Sequence, residues 1–472
     1  MIVEIVTCLL VFSLPMSPRR SRRKKKPVEP IEVNVESLSH EGRGVTRIEG
    51  KVAFVEGALA GETVLAKYVH SRSQFDVLNT EKILLKNDAR IESDCPVSGI
   101  CGGCSLRHMH PDQQLEMKQE MLLDLLQRAT GLTSVDFQLL PKLAADASHY
   151  RRKARLAVRY VQKKGGALVG FREKRSSFIT VMDDCQVLVS EVSNLIVSLK
   201  SLISSLSSAA DIPQIEVAAG ETEPDLGAPL EIALVFRHLK PLTPADQDAL
   251  TQFASEHRIH CYLQPGGLDS VHRVYPDMGK ERLTYFLPDE ELQFAFHPVD
   301  FTQINGPVNR KIVSRVVDLM AVQPGESVLD LFCGLGNFTL PLARQGAQVV
   351  GVEGSQAMVE RGYENANLNG LKGLEFYCAD LFKPLNDAEW AQQRYDRVLL
   401  DPPRSGAIEV IQQIRRFSPK QIVYVSCNPA TLARDSAELL AQGYQLKSAG
   451  VMDMFPHTAH VESMAVFEQK HN

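Results

Sequence analysis

The sequence predicts a multidomain protein that ends in a doubly wound α/β domain. From about Phe294 onward, apolar runs rich in β-branched residues alternate with helical stretches, such as residues 307–320 and 408–417. This alternation is typical of a parallel sheet with helices on both faces. The apolar runs end at five positions that would lie along one edge of that sheet: Phe332, Glu353, Asp380, Asp401 and Ser426.

The N-terminal part has a different pattern, in which short alternating runs are separated by glycines over residues 31–85. Many short strands with glycine turns favour a small β-barrel. The segments GRG at residues 42–44 and KYVH at residues 67–70 would suit RNA binding, and a purely structural barrel is the alternative. The predicted strands cover residues 31–35, 52–55 and 63–69.

The central part begins with a cysteine-rich segment at residues 95–104, and a helix that ends at Gly131 follows it. A basic and partly alternating strand is expected over residues 149–160, and residues 171–175 continue the basic pattern. Basic residues interleaved with aromatic ones suit looped or single-stranded RNA, whereas a solvated sheet face is the alternative. Residues 211–230 are expected to form a loop. The helix carries Leu115, Leu122, Leu125 and Leu126 on one face, and the cations of the strand are Arg151, Arg152, Lys153 and Arg155.

The composition excludes several classes of protein. With 472 residues, of which 44% are hydrophobic, the chain can build several packed cores and is not a disordered protein. Nine cysteines in so long a chain do not fit a secreted disulfide scaffold. They indicate metal binding or catalysis in a reducing cytosol, so we expect a cytoplasmic protein.

The first 29 residues are expected to lie outside the folded domains. Residues 19–26 contain seven Lys and Arg and no acid, although the whole chain has a net charge of −5. Such a block suits a disordered arm that meets nucleic acid, with a solubilising tail as the alternative. Residues 1–15 are apolar but too short to span a bilayer, and they lack the basic start of a secretory signal. We therefore expect no membrane partner and interpret them as an extension upstream of a start at Met16.

A glycine-rich turn predicts a nucleotide-like cofactor site. The run SVLDLF leads into CGLGN over residues 327–337, and the glycines let the backbone approach a ligand closely. Glu353 ends the next run nineteen residues after Gly334, where an acid can reach a ribose hydroxyl pair. The third glycine of a dinucleotide fingerprint is absent, which favours S-adenosylmethionine over a nicotinamide. The acids Asp380 and Asp401 support this site, and helix capping by these acids is the alternative.

Cys427, in the motif VSCNP after the apolar run QIVY, is the candidate nucleophile. A strand-end cysteine lies at the edge where α/β sheets bind ligands. Carbon 5 of uracil is a poor nucleophile, but a thiolate that adds to carbon 6 creates an enolate, whose carbon 5 can take a methyl group. A base must then remove the carbon 5 proton.

The other cysteines are not expected to react. We expect Cys333 to pack within the cofactor turn, and Cys261 and Cys378 to lie in cores, while Cys8 lies in the extension.

Glu462 is the candidate base, because it lies just before the apolar run MAVF at residues 464–467. A carboxylate at a strand start is either a surface charge or a catalytic group. The neighbouring His457 and His460 are expected to face solvent or to have structural roles.

Three motifs resemble those of the bacterial RNA uracil-5-methyltransferases: DLFCGLGNFTLP at residues 330–341, VSCNPATLARD at 425–435 and FPHTAHVESM at 455–464. The resemblance extends over residues 31–468 and is closest to the branch that modifies 23S ribosomal RNA. One departure is DPPR at residues 401–404, where the ribosomal branch usually has DPAR. The double proline is familiar in the transfer-RNA branch, but that branch lacks the barrel and the cysteine group.

The resemblance implies Cys427 as nucleophile, Glu462 as general base and S-adenosyl-L-methionine as cofactor. It implies a looped or single-stranded region of 23S ribosomal RNA as partner and no obligate protein partner. It also implies an OB-like TRAM RNA-binding barrel at residues 30–88, a central α+β iron–sulfur domain at 89–290 and a Rossmann-like methyltransferase domain at 291–472. The implied cofactor contacts are Gln303, Phe332, Asn337, Glu353, Asp380 and Asp401.

A candidate metal site is formed by Cys95, Cys101 and Cys104, which Cys185 could complete from a distance. Four thiolates suit zinc or an iron–sulfur cluster, and spacing alone does not separate the two. The resemblance implies a [4Fe–4S] cluster on these four cysteines, with a structural role. A radical role is not expected, because the chain has no C-x3-C-x2-C motif.

The main prediction is therefore an enzyme that forms 5-methyluridine in 23S ribosomal RNA. Another 23S uridine and transfer RNA are the alternatives within this class, and a non-catalytic RNA-binding factor is the alternative outside it. The presence of both Cys427 and Glu462 argues against the binding factor. A cytosine-5-methyltransferase is disfavoured, because Arg404 stands where RNA enzymes of that kind place a cysteine.

Overall fold

The computed structural model describes residues 27–225, 227–385 and 388–470. The apolar extension, the basic block and Cys8 fall outside these ranges, so their interpretation remains a prediction. Among the helices of the three ranges, none combines the length and the apolar character that crossing a membrane requires.

The N-terminal part consists of six strands: β1 (Ile31–Asn34), β2 (Ser37–Leu38), β3 (Gly44–Ile48), β4 (Lys51–Glu56), β5 (Thr63–Ser71) and β6 (Phe75–Leu85). They form one sheet in the order β1-β5-β6-β4-β3-β2, around a small core that includes Val33, Ala53 and Val64. The predicted small β domain is confirmed. The predicted strands do not include β2, β3 or β6. In β6, exposed polar residues follow the buried first half and interrupt the alternation.

The central part comprises α1 (Pro111–Thr130), β7 (Gln138–Leu139), β8 (Lys153–Val161), β9 (Gly166–Gly170), α2 (Ser190–Ser193), α3 (Ile196–Ser205), β10 (Gln214–Glu221), β11 (Leu230–Arg237), α4 (Pro244–His257), β12 (His260–Gln264) and β13 (His272–Tyr275). Six of the strands form a sheet in the order β13-β12-β11-β10-β8-β9. The loop predicted over residues 211–230 is wrong, since β10 occupies its first half and pairs with both β8 and β11.

Helix α1 agrees with the prediction at both its apolar face and its end. Leu122 and Leu126 are fully buried. Gly131 ends the helix with φ of 77°, a left-handed conformation that glycine adopts without a Cβ penalty. The buried face continues towards the N-terminus with two polar residues, Gln114 and Lys118. The helix packs against the C-terminal part of the chain.

The C-terminal part comprises β14 (Leu283–Leu287), β15 (Leu292–Phe296), α5 (Gly306–Met320), β16 (Ser327–Leu331), α6 (Thr339–Arg344), β17 (Gln348–Glu353), α7 (Gln356–Leu368), β18 (Leu374–Cys378), β19 (Arg397–Leu400), α8 (Ile408–Ile411), β20 (Gln421–Ser426), α9 (Pro429–Ala441), β21 (Tyr444–Met452) and β22 (Glu462–Gln469). Strands β14 and β15 form a hairpin by themselves. The predicted helix at residues 408–417 is shorter than expected, because α8 ends at Ile411 and a 3-10 turn follows it.

The main sheet has the order β18-β17-β16-β19-β20-β22-β21-β7, which confirms the predicted doubly wound fold. The chain proceeds from β16 to β17 on one side and returns to β19 on the other, and these pairs are parallel. This reversal creates a switch point at the carboxyl edge of β16 and β19, where α/β sheets bind ligands. Strand β22 is antiparallel to β20 and β21, and β7 joins the central part to this sheet.

Candidate active site

The turn after β16 requires left-handed backbone conformations. Phe332, Gly334 and Gly336 have φ of 66°, 56° and 95°. A Cβ on Gly334 would meet no atom within 4 Å, so open space lies beside this residue. A Cβ on Gly336 would run into the Leu340 side chain, so this glycine lets α6 pack close to the turn.

The acids at the ends of β17 and β18 lie at the same edge as this turn. Glu353 accepts hydrogen bonds from the N–H groups of Gly334 and Ser355, each at 3.1 Å, so the turn itself orients the carboxylate. Asp380 is exposed. The hydrogen bond from Lys383, 3.0 Å away, lowers the pKa of the Asp380 carboxyl.

Asp330 is buried at the end of β16. Its Oδ2 accepts a hydrogen bond from the Thr339 hydroxyl at 2.5 Å, and its Oδ1 has no hydrogen-bond partner among the described residues. Burial raises the pKa of this carboxyl to about 8.

The rings of Phe332 and Phe382 lie 5.8 Å apart and add an apolar surface to the edge. An unsatisfied acceptor, open space at the turn and an aromatic surface fit a nucleoside ligand.

Asn337 and Gln303 lie on the side of the turn that faces α5. The Asn337 side chain exchanges two hydrogen bonds of 3.0 Å with Asn309 and accepts a third from the Tyr285 hydroxyl at 2.9 Å. Gln303 lines a small cavity together with Tyr285 and Asn309. The structure therefore brings Asn337 and Gln303 close together, but the Asn337 side-chain amide already forms its hydrogen bonds with Asn309 and Tyr285.

Cys427 lies in the short turn between β20 and α9. The Asn428 side chain caps α9 by accepting a hydrogen bond from the Ala430 N–H at 3.1 Å, and the Ser426 hydroxyl bonds to the Asn428 backbone. Cys427 is half-buried. Burial, together with the charges of Glu462 and Asp401, raises the pKa of its thiol to about 12, and the charge of Arg404 opposes them.

Glu462 begins β22, directly beside this turn. Ser426 and Ser463 are partners in the antiparallel pair of β20 and β22, so the next residue on one strand, Cys427, faces the preceding residue on the other, Glu462. Burial raises the pKa of the Glu462 carboxyl to about 8, and the charge of Asp401 adds to the effect. Asp401 ends β19, and burial raises its own pKa to about 7.

Arg404 supplies a positive charge to this cluster, and the sequence did not identify this role. Its backbone carbonyl accepts a hydrogen bond from the Asn428 side chain at 2.9 Å. Its guanidinium donates to Nδ1 of the exposed His460 at 3.3 Å. Arg404 lowers the pKa of both Cys427 and Glu462, so it favours the ionised form of each. The position of Arg404 just after Asp401-Pro-Pro was the available signal.

The remaining cysteines and His457 agree with the predictions except at one position. Cys333 and Cys261 are buried, and Cys333 packs where a Cβ on Gly351 would stand. His457 is buried and its backbone N–H bonds to Gln114 at 2.8 Å, so its role is structural. The prediction for Cys378 is wrong: this residue is exposed, because it ends the edge strand β18.

A family model described as tRNA (Uracil-5-)-methyltransferase matches residues 110–470 of the chain. The chain belongs to this family. A second family model, the TRAM domain, matches residues 24–75. The predicted family and the predicted N-terminal domain type are thereby confirmed.

Curated relatives and a solved structure cover nearly the whole of this uracil-5-methyltransferase chain. It is 52% identical to the 23S rRNA (uracil(1939)-C(5))-methyltransferase of Hahella chejuensis, over 95% of this chain and 99% of that protein. It is 50% identical to the protein of the same description from Alcanivorax borkumensis, over 95% and 98%. The crystal structure of Pyrococcus abyssi tRNA (uracil-54, C5)-methyltransferase in complex with S-adenosyl-L-homocysteine matches with a TM-score of 0.69 and 24% identity, over 93% of this chain and 100% of that one. This likeness supports the fold.

The four cysteines predicted to hold a metal lie in the central part of this methyltransferase. Cys101 and Cys185 are buried, and Cys95 and Cys104 are half-buried. Burial raises the pKa of the Cys104 thiol to about 12, and the charges of the other three thiols raise it as well, so all four lie within electrostatic reach. In the described ranges, however, no three side chains converge closely enough to hold a metal ion.

The basic strand is less exposed than the sequence suggested. Arg152 forms an ion pair with the buried Glu221, and Lys153 donates to the backbone carbonyl of Asp300. Burial lowers the pKa of the Lys153 ammonium to about 8. Arg155, in contrast, keeps 69% of its side chain exposed. Lys153 and Arg155 share one face of β8, so the contact with Asp300, and not the strand alternation, makes Lys153 less available to a partner than Arg155.

Proposed function

We propose that this S-adenosylmethionine-dependent methyltransferase methylates carbon 5 of a uridine in 23S ribosomal RNA through a covalent adduct with Cys427. The relatives named above, which are half identical over nearly their full length, act on uracil 1939, and we propose the same target here. The observation that carries the proposal is the position of Cys427 opposite Glu462, at the same sheet edge as the cofactor turn.

In the first step, the Cys427 thiolate adds to carbon 6 of the uracil ring. A carbon–sulfur bond forms, and the electron pair of the carbon 5–carbon 6 double bond moves into an enolate that includes oxygen 4. Arg404 assists by stabilising the thiolate, whose pKa burial otherwise raises. S-adenosylmethionine, when bound, would supply the methyl group that carbon 5 takes, and the bond between that methyl group and the cofactor sulfur would break, with its electron pair staying on the sulfur.

In the second step, Glu462 accepts the proton from carbon 5. The electron pair of that carbon–hydrogen bond restores the double bond, and the bond between carbon 6 and the Cys427 sulfur breaks. The thiolate is regenerated, and the proton remains on the carboxyl until solvent takes it. A raised pKa suits this role, because the carboxylate is then a stronger base than an exposed one.

We further propose the six cofactor contacts in named roles. Glu353 would bind the ribose hydroxyls, Asp380 the adenine amino group, and Phe332 the flat face of the adenine. Gln303 and Asn337 would hold the amino-acid part, Asn337 through its backbone, since its amide already binds Asn309 and Tyr285. Asp401 would lie between the cofactor and Cys427. Open space at Gly334 supports this arrangement.

A cavity of about 1180 Å³ offers an entry for the target base. It lies between the N-terminal sheet and α1, and its lining includes Cys427, Arg404 and His460. A second cavity of about 550 Å³ adjoins Cys104 and is lined by Arg155, Arg172 and Arg175. We propose that a looped or single-stranded RNA segment contacts this basic surface, while one flipped base enters the larger cavity.

We also propose that Cys95, Cys101, Cys104 and Cys185 hold a [4Fe–4S] cluster with a structural role. The charges of the other three thiols act on Cys104, so the four cysteines lie near one another in the fold. Four thiolates suit either zinc or an iron–sulfur cluster, and the family resemblance favours the cluster. Iron and acid-labile sulfide at four atoms each per chain would support the cluster, and one zinc per chain would overturn it.

The domain boundaries at residues 30–88, 89–290 and 291–472 remain a proposal. The N-terminal sheet ends at Leu85, within the first boundary. The hairpin of β14 and β15 crosses the boundary at residue 290, so the two larger domains would share this element.

The decisive experiment is tritium release from RNA labelled at carbon 5 of uracil, in the presence of S-adenosylmethionine. We expect release from 23S ribosomal RNA and none from transfer RNA. A 23S transcript with cytidine in place of uridine 1939 is the matched control and should release no tritium above background. Release from transfer RNA alone would overturn the proposed substrate.

A further inference from the structure

Lys118 is a buried cation in a helix stripe that should be apolar. The residues Gln114, Lys118, Leu122 and Leu126 recur every four positions along α1 and form its buried face. Lys118 has no exposed surface. A lysine is rarely buried unless it is paired, so the position calls for a specific partner.

That partner is the loop between β21 and β22. The Lys118 ammonium donates to Oδ1 of Asp453 at 2.6 Å and to the backbone carbonyl of Phe455 at 3.2 Å. One turn earlier on α1, the Gln114 side chain accepts from the backbone N–H of His457 at 2.8 Å. Two consecutive turns of one helix therefore hold the first half of the loop at residues 453–461.

The same loop ends at the general base. Met452 and Glu462 are partners at the end of the β21–β22 pair, so Asp453 directly follows the residue that faces Glu462. A displacement of Asp453 would therefore move the strand end that supports the base. The ammonium of Lys118 also acts on the Glu462 carboxyl by charge, together with Arg404 and against Asp401, and Glu462 in turn acts on the Cys427 thiol.

We propose that Lys118 is a positioning residue for the carbon 5 proton transfer. It fixes the start of the 453–461 loop through Asp453 and Phe455, and its positive charge favours the ionised form of Glu462. This inference rests on the proposed function. It explains why α1 places a charged residue on its buried face, and it couples the central part of the chain to the chemical step.

The test compares Lys118→Met with the double variant Lys118→Met/Asp453→Asn, in single-turnover tritium release between pH 6 and pH 10. Removing the Lys118 ammonium should raise the pKa of Glu462. The rising limb of the plot of release rate against pH should therefore move to higher pH by about one unit. At pH 7 the release rate should fall roughly tenfold, and the covalent protein–RNA adduct should accumulate on a denaturing gel. Lys118→Arg should keep the wild-type limb.

The double variant separates positioning from simple charge pairing. It leaves no orphaned charge at residue 453, so it should recover the melting temperature that Lys118→Met loses. The rising limb of its pH profile should nevertheless stay at the higher pH, because the positive charge of Lys118 is still absent. A double variant with the wild-type profile would overturn the proposal, and so would a double variant that fails to fold, since the pair would then be only structural.

Lys420→Met is the matched control. Lys420 pairs with Asp396 at 2.8 Å, but it is 74% exposed and precedes β20 at the opposite edge of the sheet. Its pH profile should equal that of the wild-type protein. Wild-type protein that releases no tritium would overturn the proposed function itself, whereas normal wild-type release with an unshifted Lys118→Met limb overturns only the role of Lys118.

Discussion

Ser426 and Ser463 face each other in adjacent antiparallel strands, and this register places Cys427, the proposed nucleophile, beside Glu462, the proposed base. Cys427 follows Ser426 and Glu462 precedes Ser463, so the Cys427 and Glu462 side chains point to the same side of the sheet. They come from segments more than 30 residues apart in the chain. A register shift of one residue would turn one of the two groups to the opposite face.

Cys427→Ala should abolish turnover while S-adenosylmethionine binding is kept, because alanine cannot add to carbon 6 of the uracil. We expect a loss of at least about 1000-fold in methyl transfer, since carbon 5 is not activated without the adduct. Methyl transfer to 23S RNA and calorimetric cofactor binding measure the two properties. The exposed Cys378→Ala is the control and should keep full activity.

Glu462→Gln should trap the covalent protein–RNA adduct after methyl transfer. The amide cannot accept the carbon 5 proton, so the bond between carbon 6 and Cys427 cannot break. A shifted RNA band on a denaturing gel should appear with this variant and disappear in Cys427→Ala/Glu462→Gln. Absence of the band from the single variant would count against Glu462 as the base.

The decay of a preformed methylated adduct should accelerate as the pH rises from about 7 to 9. Burial raises the pKa of Glu462 to about 8, so at pH 7 most of the carboxyl is protonated and cannot accept a proton. Above that value it is ionised. Rapid-quench measurement of the adduct at several pH values tests this, and a rate that is independent of pH in this range would contradict it.

The gain in stability of Asp330→Asn over the wild-type protein should be larger at pH 8 than at pH 5. The pKa of Asp330 is raised by burial to about 8, so between about pH 4 and 8 the folded state holds a proton that the unfolded state has lost. Stability from this group therefore falls as the pH rises through that window. Melting temperatures of wild type and variant at both pH values provide the measurement.

Asp396→Asn is the control of opposite sign for this pH test. The hydrogen bond from Lys420 is the main cause that lowers the pKa of the Asp396 carboxyl to about 2. The ionised carboxylate therefore stabilises the folded protein above the unfolded pKa, and this stabilisation is lost as the pH falls below about 4. The variant should therefore be less stable than wild type at pH 8. Equal pH responses of the two variants would show that burial does not determine the behaviour of Asp330.

Gly336→Ala should destabilise the protein by about 2–4 kcal/mol and weaken cofactor binding. Its φ of 95° disfavours any side chain, and the new Cβ would run into Leu340. Gly267→Ala is the matched control, because φ there is −69° and a Cβ would meet nothing within 4 Å. Urea unfolding of both variants tests the difference, and equal free energies of unfolding would refute it.

The sequence was sufficient for the elements that one local pattern specifies. The apolar runs before Glu353, Asp401 and Cys427 became β17, β19 and β20, because a buried parallel strand needs a continuous apolar segment. Helix α1 ended at Gly131 for a similarly local reason. The motifs around Cys427 and Glu462 likewise indicated the family before any contact was known.

Local pattern failed where pairing or burial depends on distant residues. Strand β10 lies in a segment rich in glycine and acids, and it is a strand because β8 and β11 supply its hydrogen bonds. Cys378 reads as a core residue but lies on an edge strand. The sequence pattern indicates Arg152 and Lys153 as RNA contacts. In the structure, however, Arg152 is paired with Glu221 and Lys153 donates to the backbone carbonyl of Asp300.

The sequence by itself determined the fold class and the family, since both depend on short motifs and on periodicity, and it singled out Cys427 and Glu462 as candidate reacting groups. Only the tertiary structure decided how Cys427, Glu462, Asp401 and Arg404 meet, and that α1 carries Lys118 to the loop beside the base. The physical reason is that pKa values and charge contacts depend on distances between segments that are remote in the chain, and local sequence does not contain those distances.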